Sequence, residues 1–123
     1  LGSLLRALRA ESRLERLPVR VGLRTRLVEL EDVDYIEARA NYVRLHAGER
    51  SYLVRDTLSG LEARLEPSRF LRIHRSLIVN LARVQEVESL FAGEYVLFLR
   101  GGVRLTSGRT YRASVQAALG LRT

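Results

Sequence analysis

Apolar and polar residues alternate along much of the chain after Pro18, which is the pattern of strands that bury one face. The alternation is cleanest at Tyr42–His46, where Val43 and Leu45 lie on one side of the predicted strand. Turns containing Gly separate such segments, and Gly tolerates the positive φ that tight hairpins need. The sequence therefore predicts short antiparallel strands: a hairpin around Gly22, strands at Tyr42–His46 and Ser51–Val54 joined by Ala47-Gly48, a strand at Val84–Leu90, and a hairpin within Glu94–Leu105 that turns at Gly101-Gly102.

Three segments have helical spacing instead. Residues 1–16 place four leucines in an i, i+3, i+4, i+7 stripe, which predicts an amphipathic helix. This helix would be a linker from an upstream domain, a dimerisation seam, or a short helix packed on its own domain. The other two are a short helix capped by Asp56 or Thr57 and running through Leu65, and a terminal helix at Arg109–Leu119 ended by Gly120. The predicted fold is thus mainly β, with short helices at its margins.

The stretch from Phe70 to Leu81, FLRIHRSLIVNL, combines two kinds of residue. Its apolar run, residues 77–79, is typical of a buried strand. The polar group His74-Arg75-Ser76 directly before it is typical of a recognition surface. No Gly or Pro separates the two, so we expect a strand that holds a polar loop in place.

Composition limits the classes of protein. A chain of 123 residues with 46% hydrophobic residues is long enough for one domain with a core. The chain contains no Cys and no apolar run near the roughly 20 residues that span a bilayer, so we expect a cytoplasmic protein without a membrane partner. The net charge is +7, and all 21 basic residues are Arg. This charge favours a polyanionic partner, although a GC-rich genome would also favour Arg over Lys.

The distribution of charge is more informative than its total. Three windows contain no acidic residue: residues 38–48, 67–85 and 95–123. Together they hold eleven Arg, which leaves the rest of the chain with a net charge of −4. Each window also contains a polar turn or strand end. If the fold brings these turns to one edge they form a discontinuous binding ridge; otherwise they are three separate solvated patches.

Catalytic chemistry has little support in the sequence. The two histidines, His46 and His74, have no His or Cys partner at metal-ligand spacing. His74 is accompanied by no nucleophile motif or paired carboxylate, and a lone His at a strand end is more often a structural hydrogen-bonding residue. No phosphate-binding Gly-rich loop is present. We therefore expect no enzyme activity, no metal site and no cofactor.

About 100 residues, from Leu17 to Leu119, resemble the LytTR DNA-binding domain found at the C-terminus of bacterial response regulators of the LytR/AlgR family. The block FxRIHRSxIVN is the most specific part of the resemblance. The matching segments are DVDYIE at 32–37, NYV at 41–43, FLRIHRS at 70–76, IVN at 78–80, LT at 105–106 after Gly102, and RTY at 109–111.

The resemblance implies an elongated β-β-β fold of small sheets that presents three loops along one side. It implies that the outer two loops enter major grooves of duplex DNA and the middle loop enters the minor groove between them. Carried over by position, the residues that contact bases are Asn41, Arg75 and Arg109. Candidates for contacts to the DNA backbone, or for shaping the loops, are Tyr42, Arg44, His74, Ser76, Asn80 and Tyr111, with His74 and Asn80 equally suited to be structural supports.

The chain departs from the family pattern at Gly108, where the family usually has Ser. Either Ser107 takes over a phosphate contact or the loop is more flexible. The resemblance also implies an upstream receiver domain, phosphorylated on an Asp, that pairs two DNA-binding domains on direct repeats. The predicted organisation is a helix or linker at 1–16, the DNA-binding domain at 17–120 and a tail at 121–123.

Two other functions are compatible with a basic β-rich domain. An RNA-binding module would stack unpaired bases on exposed aromatic residues such as Tyr42 and Tyr111, but no aromatic cluster is evident in the sequence. A protein-interaction module would dock partners through strand edges or through the leucine stripe of residues 1–16. The resemblance favours sequence-specific binding to double-stranded DNA over both.

Overall fold

The computed structural model describes residues 14–121, and within them ten strands and two α-helices are formed. The strands are β1 (Arg16–Val21), β2 (Arg24–Glu29), β3 (Tyr35–Arg39), β4 (Tyr42–Ala47), β5 (Arg50–Val54), β6 (Phe70–His74), β7 (Leu77–Asn80), β8 (Val84–Ser89), β9 (Tyr95–Leu99) and β10 (Arg104–Thr106). The helices are α1 (Leu58–Glu62) and α2 (Arg112–Leu119), and 3-10 turns occupy Leu30–Asp32, Leu81–Arg83, Phe91–Gly93 and Arg109–Tyr111.

The strands form three small antiparallel sheets. The largest has the order β5-β4-β3-β7-β6, a second is the β1–β2 hairpin, and the third has the order β10-β9-β8. The mainly β fold of small sheets that the sequence predicts is confirmed. The pairing of β3 with β7 joins segments about forty residues apart in the chain, since Ile36 pairs with Ile78.

Two hydrophobic cores lie on opposite faces of the five-stranded sheet. The first core joins that sheet to the β1–β2 hairpin and α1, with Leu45, Leu61 and Ile78 almost fully buried. The second joins the β6–β7 part of the sheet to β9, β10 and α2, with Val79, Leu97 and Val115 buried. Neighbouring residues Ile78 and Val79 belong to different cores because successive strand residues point to opposite faces. This is why the Leu77–Val79 run is continuously apolar.

The predicted strands are confirmed with shifts of one or two residues. Val43 and Leu45 of β4 are buried as predicted, and Gly101 and Gly102 both adopt positive φ in the β9–β10 turn. Gly120 ends α2 with φ 67°. Leu121, predicted as tail, continues this cap: its N–H donates to the Gln116 carbonyl, and its side chain packs on the second core.

Two of the three predicted helices are shorter than expected. Thr57, one of the two predicted caps, accepts a hydrogen bond from the Gly60 N–H at 2.9 Å, but α1 ends at Glu62. Arg64 and Leu65 then donate three residues back, to Leu61 and Glu62, which is 3-10 geometry. Residues 109–111 likewise form a 3-10 turn before α2, because Tyr111 donates to Gly108. The helix predicted at 1–16 lies outside the described residues except for its last three, of which Arg16 begins β1.

Candidate nucleic-acid interface

The first polar turn, loop 1, consists of Ala40 and Asn41 between β3 and β4. Arg39 pairs with Tyr42 across it, so only two residues form the turn. Ala40 has φ 50°, a left-handed conformation that costs a residue with a side chain roughly 1 kcal/mol. The turn leaves Asn41 exposed, and Tyr42, at the start of β4, remains 43% exposed.

The second polar turn, loop 2, consists of Arg75 and Ser76 between β6 and β7. His74 pairs with Leu77 across it, and the register shifts between Arg72 and His74. The bulge bends the end of β6 and re-aims the turn. Arg75 is exposed at its tip, whereas Ser76 is half-buried.

The third polar segment, loop 3, comprises residues 107–111 between β10 and α2. Its backbone is fixed at three points: Ser107 N–H donates to Tyr95, Gly108 N–H to Ile73 and Tyr111 N–H to Gly108. Arg109 is exposed as the first residue of the 3-10 turn. Loop 3 is therefore held by backbone contacts on both sides of its exposed Arg.

Two backbone hydrogen bonds place these loops side by side. Ala38 N–H donates to Ser76 O at 2.9 Å and joins the end of β3 to loop 2, while Gly108 N–H donates to Ile73 O at 2.8 Å and joins loop 3 to β6. In the order β4-β3-β7-β6, both hairpin turns fall at the same end of the sheet. The three loops thus form one edge, the loop edge, with loop 2 in the middle.

The charge at the loop edge is positive and partly unpaired. Glu37 pairs with Arg39 at 3.3 Å, and Glu62 pairs with Arg72 at 3.0 Å. Within residues 14–121, no acidic side chain forms an ion pair with Arg75 or Arg109. These two guanidinium groups are therefore available to an external anion.

A polar layer on the outer face of β3 and β4 supports loop 1. His46 Nε2 lies 3.0 Å from Glu37 Oε1, and the His46 ring stacks on Tyr35 with centroids 4.1 Å apart. Burial alone would raise the pKa of Glu37, but the hydrogen bond with His46 and the charge of Arg39 outweigh it and hold that pKa below its usual value. Glu37 is thus a stable anion at neutral pH.

Four of the predicted site residues do not form loop tips: His74, Ser76 and Tyr111 shape the loops, and Arg44 lies on the sheet. His74 Nδ1 lies 2.8 Å from Ser76 Oγ and accepts a hydrogen bond from Ser76 N–H at 3.1 Å, so His74 closes loop 2. Tyr111 is half-buried and flanks Gly108. Arg44 points along the outer face of the sheet and donates to Ser51 Oγ at 3.0 Å.

Asn80 and Ser107 are interior residues. Asn80 is 3% exposed, and its side chain donates to the Val33 carbonyl at 2.8 Å and accepts from Ala82 N–H at 3.0 Å. Ser107 is fully buried, and its hydroxyl accepts from Tyr95 N–H at 3.0 Å. A phosphate contact by the Ser107 hydroxyl does not agree with this position, because the side chain is fully buried. We therefore leave both residues out of the interface.

The Gly at position 108 is not required by its backbone. Its φ of −79° and ψ of 153° are open to any residue. A Cβ added there would lie 3.4 Å from His74 Cδ2 and 3.5 Å from Tyr111 Cδ2, which is ordinary contact. The departure from Ser is therefore compatible with the same loop geometry.

Sequence reasoning did not single out Arg72, although it falls in the second acid-free window. Its guanidinium reaches the backbone of loop 2. The signals in the sequence were its position two residues before the polar group and its place in the block FxRIHRSxIVN.

Two further structural findings concern metal-binding groups and membrane-spanning helices. No group of three or more His, Cys, Asp or Glu side chains in the described part of the chain is placed to bind a metal ion. No helix among the same residues is long and apolar enough to cross a bilayer.

Comparison with known proteins identifies the family. Residues 23–120 match the family model of the LytTr DNA-binding domain. The chain is 30% identical over 105 residues to the transcriptional regulatory protein LytR of Staphylococcus aureus strain N315, and 31% identical over 104 residues to the sensory transduction protein LytT of Bacillus subtilis strain 168. Each alignment covers 85% of this chain and 43% of the relative, so the chain spans less than half the length of these relatives.

The fold agrees with that assignment. A solved LytTr DNA-binding domain of a response regulator from Bacillus cereus superposes with a TM-score of 0.80, at 22% sequence identity, over 88% of this chain and 99% of that one. The fold of this chain is thus that of a known domain type, in agreement with the family match over residues 23–120. The chain belongs to the LytTr DNA-binding domain family.

Proposed function

We propose that this domain binds double-stranded DNA in a sequence-specific manner, with loops 1, 2 and 3 entering successive grooves. Asn41, Arg75 and Arg109 are the residues that contact bases. Asn forms a bidentate contact with adenine, and Arg does so with guanine, so each loop tip carries a side chain suited to base recognition. Tyr42 and further Arg side chains contact the phosphate backbone and position the domain.

The observation that carries this proposal is the loop edge itself. Three separate segments meet there, and two of the exposed tips are Arg residues without an acidic partner in the described structure. An edge with this charge attracts the phosphate backbone, and its protruding tips fit grooves better than they fit a flat surface.

We also propose that the domain is the output part of a transcriptional response regulator. The relatives are a transcriptional regulatory protein and a sensory transduction protein, and both are more than twice as long as the aligned region. In this proposal a receiver domain pairs two DNA-binding domains on direct repeats. Selection of bound duplexes from random sequence would test this, because paired delivery predicts two half-sites about one helical turn, or a multiple of it, apart.

Groove recognition is tested by measuring the affinity of variants for the selected duplex and for a scrambled duplex of equal length. Replacing Arg75 or Arg109 by Ala should weaken specific binding by about 1–3 kcal/mol and relax base preference at one position of the site. The matched control is Arg20→Ala, which removes an exposed Arg of β1 outside the loop edge. We expect less than about a twofold effect from the control, since salt screens charges beyond about 8 Å.

The proposal fails if the wild-type domain binds the two duplexes equally, or if Arg20→Ala weakens binding as much as the loop variants do. A single-stranded RNA competitor at the same salt concentration separates the alternative class. RNA that displaces the duplex at equal concentration would indicate an RNA-binding module instead.

A further inference from the structure

One side chain connects loop 2 to the body of the domain. Arg72 lies on β6, and its side chain is only 14% exposed. Its Nε donates to the His74 carbonyl at 3.1 Å, and its Nη2 donates to the Arg75 carbonyl. The same guanidinium therefore binds two successive carbonyls of the β6–β7 turn.

The other side of this guanidinium is bound to α1. Nη1 donates to Ser59 Oγ and to Glu62 Oε1, each at 3.0 Å. Four of the five N–H donors of Arg72 are thus occupied. A guanidinium whose donors are already used, on a mostly buried side chain, is not placed to contact DNA.

The geometry has a consequence for Arg75. The orientation of a two-residue turn sets the direction of the side chain at its tip, and carbonyls at the end of a sheet have no further strand to bind. The planar guanidinium fixes both carbonyls at once, in a geometry that the compact ammonium of Lys does not reproduce. Glu62 and Ser59 in turn fix the guanidinium, so the position of α1 is transmitted to loop 2.

We propose that Arg72 is the positioning residue of loop 2: it holds the turn against α1 so that Arg75 is presented in the direction required for base contact. This inference rests on the proposed function, because it concerns the residue that contacts DNA through loop 2. Arg72 itself acts only through the loop backbone.

The test is a double-mutant cycle on DNA binding. Arg72→Lys keeps the charge and much of the volume but loses the bridging geometry, and it should weaken binding to the selected duplex about tenfold, roughly the effect of one charge-assisted hydrogen bond. Binding to the scrambled duplex and the salt dependence should stay unchanged, because no phosphate contact is removed. In an Arg75→Ala background the same change should cost less than about twofold, because the positioned group is gone.

A second variant changes the α1 side of the contacts made by Arg72. Glu62→Gln retains an acceptor but removes the charge that orients the guanidinium, and it should reduce specific affinity by about two- to fivefold. It should have no further effect in combination with Arg72→Lys. Thermal unfolding of each variant confirms that the domain is folded at the assay temperature.

The possible outcomes separate the two levels of inference. An equal loss from Arg72→Lys with and without Arg75 would show that Arg72 acts through general stability or its own DNA contact, and it would overturn the proposal. Full affinity for Arg72→Lys would do the same. If the wild-type domain fails to discriminate between duplexes at all, the proposed function fails first, which is a distinct result.

Discussion

Replacing Asn80 by Ala should destabilise the domain without changing how the folded molecule recognises DNA. Asn80 bonds the Val33 carbonyl through its amide N–H and the Ala82 N–H through its oxygen, and both bonds are at the end of the five-stranded sheet opposite the loop edge. Asn80 is 3% exposed, so the intact side chain keeps these partners away from water.

The magnitude follows from those two bonds. A buried donor or acceptor left without a partner costs about 1–3 kcal/mol, and Ala leaves one of each. Because relaxation recovers part of this, we expect a loss of about 3 kcal/mol in the free energy of unfolding. For a domain of about 100 residues, 1 kcal/mol shifts Tm by about 4–8 °C, so Tm should fall by roughly 15 °C.

The chain offers a matched control, since Asn41 is its only other Asn. Asn41→Ala removes the same atoms from an exposed turn, so stability should change by less than about 0.5 kcal/mol while specific DNA affinity falls by about 1–3 kcal/mol. Urea unfolding and duplex binding are measured on both variants. Asn80→Ala should lose stability but not affinity, and Asn41→Ala should lose affinity but not stability. A Tm for Asn80→Ala within 3 °C of wild type, or a loss of affinity when binding is measured on fully folded protein, would refute the assignment of Asn80 to the interior.

The variant Asn80→Asp adds a dependence on pH. It keeps an acceptor for Ala82 N–H but places a carboxylate against the Val33 carbonyl, and burial raises the pKa of that carboxyl above its value of about 3.9 in the unfolded chain. The destabilisation should therefore grow as the pH rises from about 4 and be smallest below it. A stability difference from wild type that does not vary with pH would contradict this geometry.

Four further measurements test other parts of the structure. Affinity for a selected duplex should fall with salt at a log–log slope of about −5 if about six phosphates are neutralised, and a slope near zero would contradict an electrostatic interface. Gly108→Ala should stabilise the domain by about 0.4–1 kcal/mol in urea unfolding, because its φ of −79° suits any residue and the unfolded chain loses freedom. Ala40→Gly should also stabilise, by up to about 1 kcal/mol, since it relieves the left-handed strain of loop 1, and a measured loss would argue against that turn. Glu37→Gln should lower the free energy of unfolding at pH 7. This loss should shrink as the pH falls through the lowered pKa of Glu37, because the wild-type carboxylate is then protonated as well. An equal loss at pH 3 and pH 7 would argue against the pairing of Glu37 with His46 and Arg39.

Several properties of the domain are determined locally and could be inferred from the sequence. The alternation at Tyr42–His46 and the paired Gly101-Gly102 depend only on neighbouring residues, and the strands and turn they predict are present. The three acid-free windows also follow from the sequence, as does the resemblance to the family to which the chain belongs. The DNA-contacting roles of the tip residues remain predictions.

Charge alone could not decide which basic segment belongs to the loop edge. Residues 16–28 also contain four Arg and no acid. They form the β1–β2 hairpin, where Arg26 lies over the Tyr52 ring of β5, with its charge 5.8 Å from the ring centroid, in a groove shared with the β4–β5 turn. That turn is at the end of the sheet opposite loop 1, because β4 runs from one end to the other. Only the position of each basic segment in the fold shows which of them lie at the loop edge.

The tertiary structure decided what no local pattern encodes. Loops 1 and 2 share an edge because β3 pairs with β7, about forty residues further along the chain, and loop 3 joins them through the bond from Gly108 to Ile73. Burial then separated residues of the same type, placing Asn80 inside and Asn41 outside. The sequence by itself determined the elements and the polar tips, since these depend on neighbouring residues. The edge they form, and the role of Arg72 behind it, depend on contacts between distant segments that only the folded chain brings together.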